Sequence, residues 1–325
     1  MSQDNGHTPL VAIISNPLST TNQRKLPAIR RLIEQHSNII HFELDHIESI
    51  REALELFERV GPDLIVINSG DGTVGAVLAM ILHKKILSKV PPIAIMPGGK
   101  TNMTGADFNV KGAPDAVLRK ILAIAKSGDM ADHIVEKNVI ELDMNDGSDV
   151  KVGTFFGGAG VVPAIHWCRN YAHTLKIPLP LAHAWTIINL ILSAFGLSKH
   201  KGIMVSDDMT IHVFGSGHFT GKFSIMSVTT LDKLLLGLKP FNSVDKGGLK
   251  AAMIRPDGRS FLRAVIGLVT RRFGKRVMEG INTRNSDEIR IDTTNAVTLD
   301  GEIFQPTEGK PIILRGDRKM AFLRL

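Results

Sequence analysis

Leu64-Ile65-Val66-Ile67-Asn68-Ser69-Gly70-Asp71-Gly72-Thr73-Val74 decides the fold. Leu64–Ile67 is a short apolar run closed by turn residues, which predicts a buried strand. A helix is predicted from Val74 to about Leu87, so Asn68–Thr73 is a strand-to-helix loop. Gly70 and Gly72 let backbone N–H groups come close to a phosphate, and the helix N-terminus adds positive potential. Gly70-x-Gly72-x-x-Gly75 also fits a dinucleotide fingerprint. That pattern expects an acid about 20 residues on, where Ser88-Lys89-Val90-Pro91-Pro92 has none. Asp71 inside the loop calls for a cation nearby, and Mg²⁺ carried with a nucleotide supplies one. The competing reading is a turn that uses glycine only for its backbone freedom.

The same alternation extends on both sides. Strands are predicted at 11–14, 39–44, 64–67 and 92–96, and helices at about 24–36, 47–59, 74–87 and 114–126. Short apolar strands alternating with amphipathic helices imply a doubly wound parallel sheet with loops and ligands at one edge. A second glycine loop, Pro97-Gly98-Gly99-Lys100-Thr101-Asn102, follows the fourth strand. It lacks the earlier glycine of a P-loop, since position 94 is Ala, yet it offers backbone donors and a lysine. From residue 134 the period changes. Strands are predicted at 134–142, 150–156, 203–205, 210–214, 222–229, 249–254, 288–291, 296–299 and 311–314, interrupted by helices at 182–195 and 260–272. The expected organisation is an α/β nucleotide-binding domain over residues 1–133. A mainly antiparallel β-sandwich over 134–325 follows, whose C-terminal end could return to the cleft. Near that end, Asp300-Gly301-Glu302 places two carboxylates at a strand terminus. It reads either as a β-turn with solvated acids or as the site of a general base.

Composition narrows the classes. Of 325 residues, 43% are hydrophobic and 22% charged, as in a folded soluble chain. A single cysteine, Cys168, excludes an internal disulfide and any multi-cysteine zinc site. His166-Trp167-Cys168 reads as packing, His200-Lys201 as the end of a basic loop, and Gly157-Gly158-Ala159-Gly160 as a close-packed strand exit. Met1-Ser2-Gln3-Asp4 lacks the basic start of a signal peptide, and the longest apolar stretch, 185–197, is too short to span a bilayer. The net charge of +7 arises wholly after residue 135, and residues 255–276 carry seven basic residues against one acid. Aromatics make up only 5%, too few for a base-stacking platform, so an anionic membrane surface is expected and no nucleic acid. In a helix, Leu262, Val265, Ile266 and Val269 share one apolar face among Arg255, Arg259, Arg263, Arg271, Arg272, Lys275 and Arg276. The alternative is that this face packs on the sandwich and leaves only the charges exposed.

Asn16-Pro17 after the first strand, Ser69-Gly70-Asp71-Gly72-Thr73 after the third, Pro97–Asn102 after the fourth and Asp300-Gly301-Glu302 together resemble the diacylglycerol kinase catalytic-domain family, which includes bacterial lipid kinases and sphingosine kinases. The resemblance implies an ATP-binding α/β domain, a β-sandwich that helps accept lipid, and an active site in the cleft. It implies a nucleotide site of Asn16, Ser69, Gly70, Asp71, Gly72, Thr73, Gly99, Lys100, Thr101 and Asn102. It implies Asp300 or Glu302 as general base, and Mg²⁺ with ATP. Ser69 replaces a usual glycine, Ala76 a usual glutamate, Lys100 a usual threonine and Met103 a usual aspartate. Ser243–Gly248 keeps one acid, Asp245, as the metal-ligand candidate. The expected activity is phosphorylation of a hydroxyl of diacylglycerol or a related lipid, in a cytoplasmic protein peripherally bound to membrane, with a homodimer left open. The alternatives are an NAD kinase-like enzyme and a catalytically weak, nucleotide-regulated membrane-binding protein.

Overall fold

A computed structural model describes residues 8–99, 102–165, 206–233, 245–270, 272–275 and 277–325. The expected strand at 203–205, the helix at 182–195, and Lys100, Thr101, His166–Cys168, His200 and Lys201 lie outside the described residues. The chain divides into two compact units, residues 1–137 with 319–325, and residues 138–318. Beside the expected boundary at 133, the first unit also takes residues 134–137 and 319–325.

The first unit holds β1 (Val11–Ser15), α1 (Asn22–Ile33), β2 (Ile39–Glu43), α2 (Ile50–Val60), β3 (Leu64–Ser69), α3 (Asp71–Lys84), β4 (Ile93–Pro97), α4 (Met103–Asp107) and α5 (Pro114–Lys126). Two strands complete its sheet, β5 (Ile134–Asn138) and, far downstream, β18 (Lys319–Leu323), in the order β2-β1-β3-β4-β18-β5. The pairs β1–β2, β1–β3, β3–β4 and β4–β18 are parallel. Every residue of β1 and β3 is buried, which is why both read as continuous apolar runs rather than alternating ones. α1 packs beside α5, and α2 beside α3. Chain order reverses between β1 and β3. Right-handed crossovers then put α1 and α2 on opposite faces and open a crevice at the C-terminal ends of these two strands.

The second unit is a sandwich of two six-stranded sheets. One contains β6 (Ile140–Asp143), β7 (Lys151–Gly153), β9 (Asp207–Val213), β10 (Gly217–Phe223), β14 (Glu288–Asp292) and β17 (Ile312–Arg315). The other contains β8 (Phe155–Ala159), β11 (Ile225–Thr229), β12 (Leu249–Ile254), β13 (Ile281–Ser286), β15 (Val297–Leu299) and β16 (Glu302–Phe304). All the pairings recorded within them are antiparallel. Leu142, Ile211, Ile291 and Leu314 from the first sheet meet Phe156, Val228, Ala251 and Val297 from the second in one core.

Several boundaries depart from the sequence reading. The strand expected over 134–142 is broken at Val139, where the chain passes from the first sheet to the sandwich. The strand expected over 222–229 is two, β10 and β11, in different sheets, separated at buried Ser224. α6 (Gly258–Val269) forms, and Leu262 and Ile266 of the apolar face expected on it are not packed on the sandwich, as the alternative reading had it. Ala264 packs against Ile254, Phe273 and Ile281, and Phe261 is buried, while Leu262 and Ile266 are exposed. Its N-terminus is capped by Asp257, whose Oδ1 accepts from the Ser260 amide at 2.8 Å and whose Oδ2 accepts from Ser260 Oγ at 2.7 Å.

On β2, the His41 ring lies 2.8 Å from Ser15 Oγ through Nε2, and burial pushes its pKa below the ordinary 6.5. Glu43 opposes that shift, and Arg30 adds to it. The unfolded chain therefore takes up this proton first as pH falls, so His41 stabilises the fold fully above about pH 6.5 and progressively less below it. Thermal unfolding followed from neutral to mildly acidic pH should show a smaller loss of Tm in His41→Asn than in the unsubstituted protein. Identical slopes would assign the acid sensitivity elsewhere.

Candidate functional site

The crevice at the β1 and β3 ends is built from two loops pressed backbone to backbone. A Cβ on Gly98 would lie 2.7 Å from both Ser69 Cα and Ser69 N, and one on Gly99 would lie 2.5 Å from Gly70 Cα. No side chain fits at either position, so the glycines of this loop serve close approach. The Gly98 amide donates to the Ser69 carbonyl at 3.2 Å. Thr21, before α1, ties the second loop from the other side. Its amide donates to the Gly98 carbonyl at 3.0 Å and its Oγ1 to the Gly99 carbonyl at 2.7 Å.

Asn16 turns at the end of β1. Its Oδ1 accepts from the Leu18 amide, and its Nδ2 donates to Thr73 Oγ1 at 2.9 Å, bridging the strand-order reversal. Ser19 Oγ and Ser69 Oγ are 2.9 Å apart, and the buried Asn22 amide donates to the carbonyls of Asn16 and Asn68. Asn102, at φ +49°, clasps its own loop. Its Oδ1 accepts from the Gly99 amide at 2.8 Å, and its Nδ2 donates to the Gly99 carbonyl at 2.9 Å.

α3 begins directly at Gly70. A glycine N-cap has no side chain to accept from the first helical amides, and no side-chain cap bond is made. Gly70, Asp71 and Gly72 are all partly exposed. This is the arrangement of an anion site, with amide donors and the positive end of a 14-residue helix open at the crevice. Asp71 does not spoil it. Its Oδ2 accepts from the Met103 amide at 3.1 Å and its Oδ1 from the Thr104 amide at 3.2 Å, capping α4. The charge for which the sequence suggested a metal ion is met by backbone donors.

Asp300 and Glu302 lie in the second unit, on the β15–β16 hairpin. Asp300 at φ +47° and Gly301 at φ +91° form its two-residue turn, with Leu299 opposite Glu302. Two left-handed residues in succession are what such a turn requires, and Asp-Gly meets that need. Asp300 is nonetheless not a merely solvated acid. Its carboxylate accepts from the Thr154 amide at 2.9 Å, Thr154 Oγ1 at 3.1 Å and the Phe155 amide at 2.9 Å. Gly153 makes room, because a Cβ there would stand 2.6 Å from Asp300 Oδ2. Glu302 is exposed at the start of β16. Asp245 Oδ2 lies 4.0 Å from Arg284 Nε. Among the described residues no group of three His, Cys, Asp or Glu side chains converges that could hold a metal ion.

The structure thus brings Asn16, Ser69, Gly70, Asp71, Gly72, Thr73, Gly99 and Asn102 to one crevice edge in the first unit, and Asp300 and Glu302 to one hairpin in the second. The sequence reading missed Ser19, Thr21, Asn22 and Asn68 in the first unit and Gly153 and Thr154 in the second. The polar run Ser19-Thr20-Thr21-Asn22, directly after Pro17-Leu18, was the available signal for the first group.

Residues 10–133 match the family model of the diacylglycerol kinase catalytic domain. Diacylglycerol kinase zeta of Rattus norvegicus is 37% identical over 97 residues, and that of Homo sapiens 36% over 97. The matched stretch is 30% of this chain and spans only 9% of the length of either relative. The crystal structure of a diacylglycerol kinase from Bacillus anthracis str. Sterne shares the fold over 98% of this chain and 97% of its own, with a TM-score of 0.63 at 17% identity. The resemblance drawn from the sequence motifs is borne out over residues 10–133.

Gly98→Ala forces a methyl group into the Ser69 backbone and should cost about 1–3 kcal/mol of stability, with weakened nucleotide binding. Gly105→Ala meets nothing closer than 3.5 Å and should leave Tm nearly unchanged. Equal unfolding temperatures for the two variants, by calorimetry, would show that the loops can separate at no cost.

Proposed function

We propose that this protein is an ATP-dependent kinase that phosphorylates a hydroxyl of diacylglycerol or a related lipid. The observation that carries the reading is the uncapped N-terminus of α3 at the strand-order reversal, inside the stretch that matches a diacylglycerol kinase catalytic domain. The first unit holds the phosphate donor. The amides at Gly70–Thr73 face the anionic phosphates, and the Asn16–Thr73 bond fixes the loop from β1 against that helix start. Gly99 and Asn102 hold the second loop in place, and Lys100 and Thr101 belong to the same reading.

The second unit supplies the base. The acceptor hydroxyl oxygen forms a bond to the γ-phosphorus as the bond from that phosphorus to the β–γ bridging oxygen breaks, giving a phosphorylated lipid and ADP. The hydroxyl proton goes to Glu302. Asp300 is the poorer acceptor, because three donors already stabilise its ionised form, whereas Glu302 stands exposed at the start of β16. Asp300 is then a positioning residue. It holds the hairpin on which Glu302 stands.

Radiolabelled ATP supplied with diacylglycerol, other lipid alcohols and NAD⁺ in parallel tests the assignment. Label should enter a lipid and not NAD⁺. Incorporation into NAD⁺ alone, or into nothing, would overturn it. With the acceptor identified, Glu302→Gln should lower kcat by roughly 10²–10⁴-fold with ATP affinity unchanged. Asp300→Asn should also lower Tm, since it disturbs bonds to Thr154 and Phe155. A Glu302→Gln enzyme with undiminished kcat would move the base elsewhere.

A further inference from the structure

α6 has two apolar faces, and only one of them is used by the fold. On the inner face Ala264, 2% exposed, completes a small core with Ala252, Ile254, Phe273 and Ile281, Leu268 packs against it, and Phe261 is buried as well. The outer face presents Leu262 at 37% and Ile266 at 52% exposure, and Val277 beyond the helix is fully exposed. Leu262 and Ile266 are one turn apart, and Arg259 precedes Leu262 by three residues, so the three line one side of the helix. Arg255, Arg259, Arg272 and Lys275, on the helix and the segments directly before and after it, are exposed. The only acid within residues 255–276, Asp257, is taken up as the helix cap, which holds its carboxyl below the usual range. Glu279 is spent on Arg263, with its Oε2 3.2 Å from Nη2. The strip is therefore apolar in the middle and cationic at its margin, with its nearest acids already engaged.

We infer that the outer face of α6, with Val277, is a docking surface for an anionic lipid bilayer. It would lie in the headgroup layer with Leu262, Ile266 and Val277 inserted and the arginines and lysine against lipid phosphates. The margin of arginines selects this occupant: an apolar protein partner would not call for a cationic rim, whereas a negatively charged leaflet attracts one. Among the described residues no helix is long and apolar enough to cross a membrane, and the 12 residues of α6 can only lie along it. The inference rests on the lipid-kinase reading for its purpose, since the acceptor of such an enzyme resides in a bilayer, but the surface is defined independently of the nucleotide crevice.

Co-sedimentation with vesicles of phosphatidylcholine alone, or of phosphatidylcholine with phosphatidylglycerol, tests it directly. The full chain should pellet with the phosphatidylglycerol vesicles, and added salt should release it. Arg272→Gln/Lys275→Gln should weaken partitioning by roughly fivefold per residue, following the typical contribution of one basic group near an anionic surface. Leu262→Asn/Ile266→Asn should weaken it by at least tenfold while leaving Tm unchanged, because neither side chain is in the core. Equal binding to both vesicle types, or full binding by both variants, overturns the inference. So does a dimer in sedimentation velocity that Leu262→Asn/Ile266→Asn dissociates, since the face would then bind a second copy. Phosphorylation of a water-soluble short-chain diacylglycerol without vesicles separates the two claims. Activity there with no vesicle binding removes the docking surface and keeps the kinase, and vesicle binding without activity does the reverse.

Discussion

The crevice depends on an approach of two backbones that leaves no room for a side chain. Gly98 and Gly99 lie against Ser69 and Gly70 so closely that a single methyl group would collide with main-chain atoms, which cannot rotate away as a flexible side chain can. That contact sets how far the end of β4 stands from the end of β3. Thr21 reaches both glycine carbonyls only because they are held there, and Asn102 closes its ring on Gly99 for the same reason. Once the second loop is fixed, α4 starts within reach of Asp71, and the start of α3 is left facing outward with its first amides free of any side-chain cap. If that helix start meets a phosphate, as proposed, its donors are already set by the fold.

Three aspartates serve the same physical task in different places. Asp71 caps α4, Asp257 caps α6, and Asp300 gathers three donors from the β7–β8 corner. Each meets main-chain amides left over at a turn or a helix start. A carboxylate so engaged is a structural anion, and counting its occupied oxygens separates it from one available for proton transfer. By that measure Asp300 and Glu302, two residues apart in sequence, part company. The hairpin that binds the first displays the second.

The first four strands and most of the helices between them were legible because buried parallel strands are short unbroken apolar runs and the surrounding helices are amphipathic. β18 was not, because Lys319-Met320-Ala321-Phe322-Leu323 mixes a charged residue into a short run and its place in the sheet depends on β4, far away in sequence. Val139 and Ser224 divide what read as single strands, and nothing local marks a chain changing sheets. α6 left two readings open for a subtler reason. Phe261, Ala264 and Leu268 repeat at helical spacing as well as Leu262, Val265 and Ile266 do, so periodicity alone could not choose the inward face. In the crevice, the glycines and Asp71 announced themselves by motif, whereas Thr21 and Asn22 act through carbonyls that only the folded backbone brings near. The bonds from Asp71 to the α4 amides were not legible, because those amides are more than thirty residues away.

The sheet of the first unit cannot be finished in the order in which the chain is made. β4 pairs with β18 through Ile93 and Phe322, so the strand that lies between β4 and β5 is synthesised only after the whole sandwich has emerged. Until then the β4 edge stands open, with a row of unpaired donors and acceptors on an apolar strand, the surface that recruits foreign strands. Closing it means joining residues on the order of two hundred positions apart, a slow step in a topology otherwise dominated by neighbouring βαβ units. Nascent chains at this stage are the ones a chaperone would have reason to hold. In the finished protein the same pairing acts as a latch, because residues 319–325 return to the unit that holds β1 to β5.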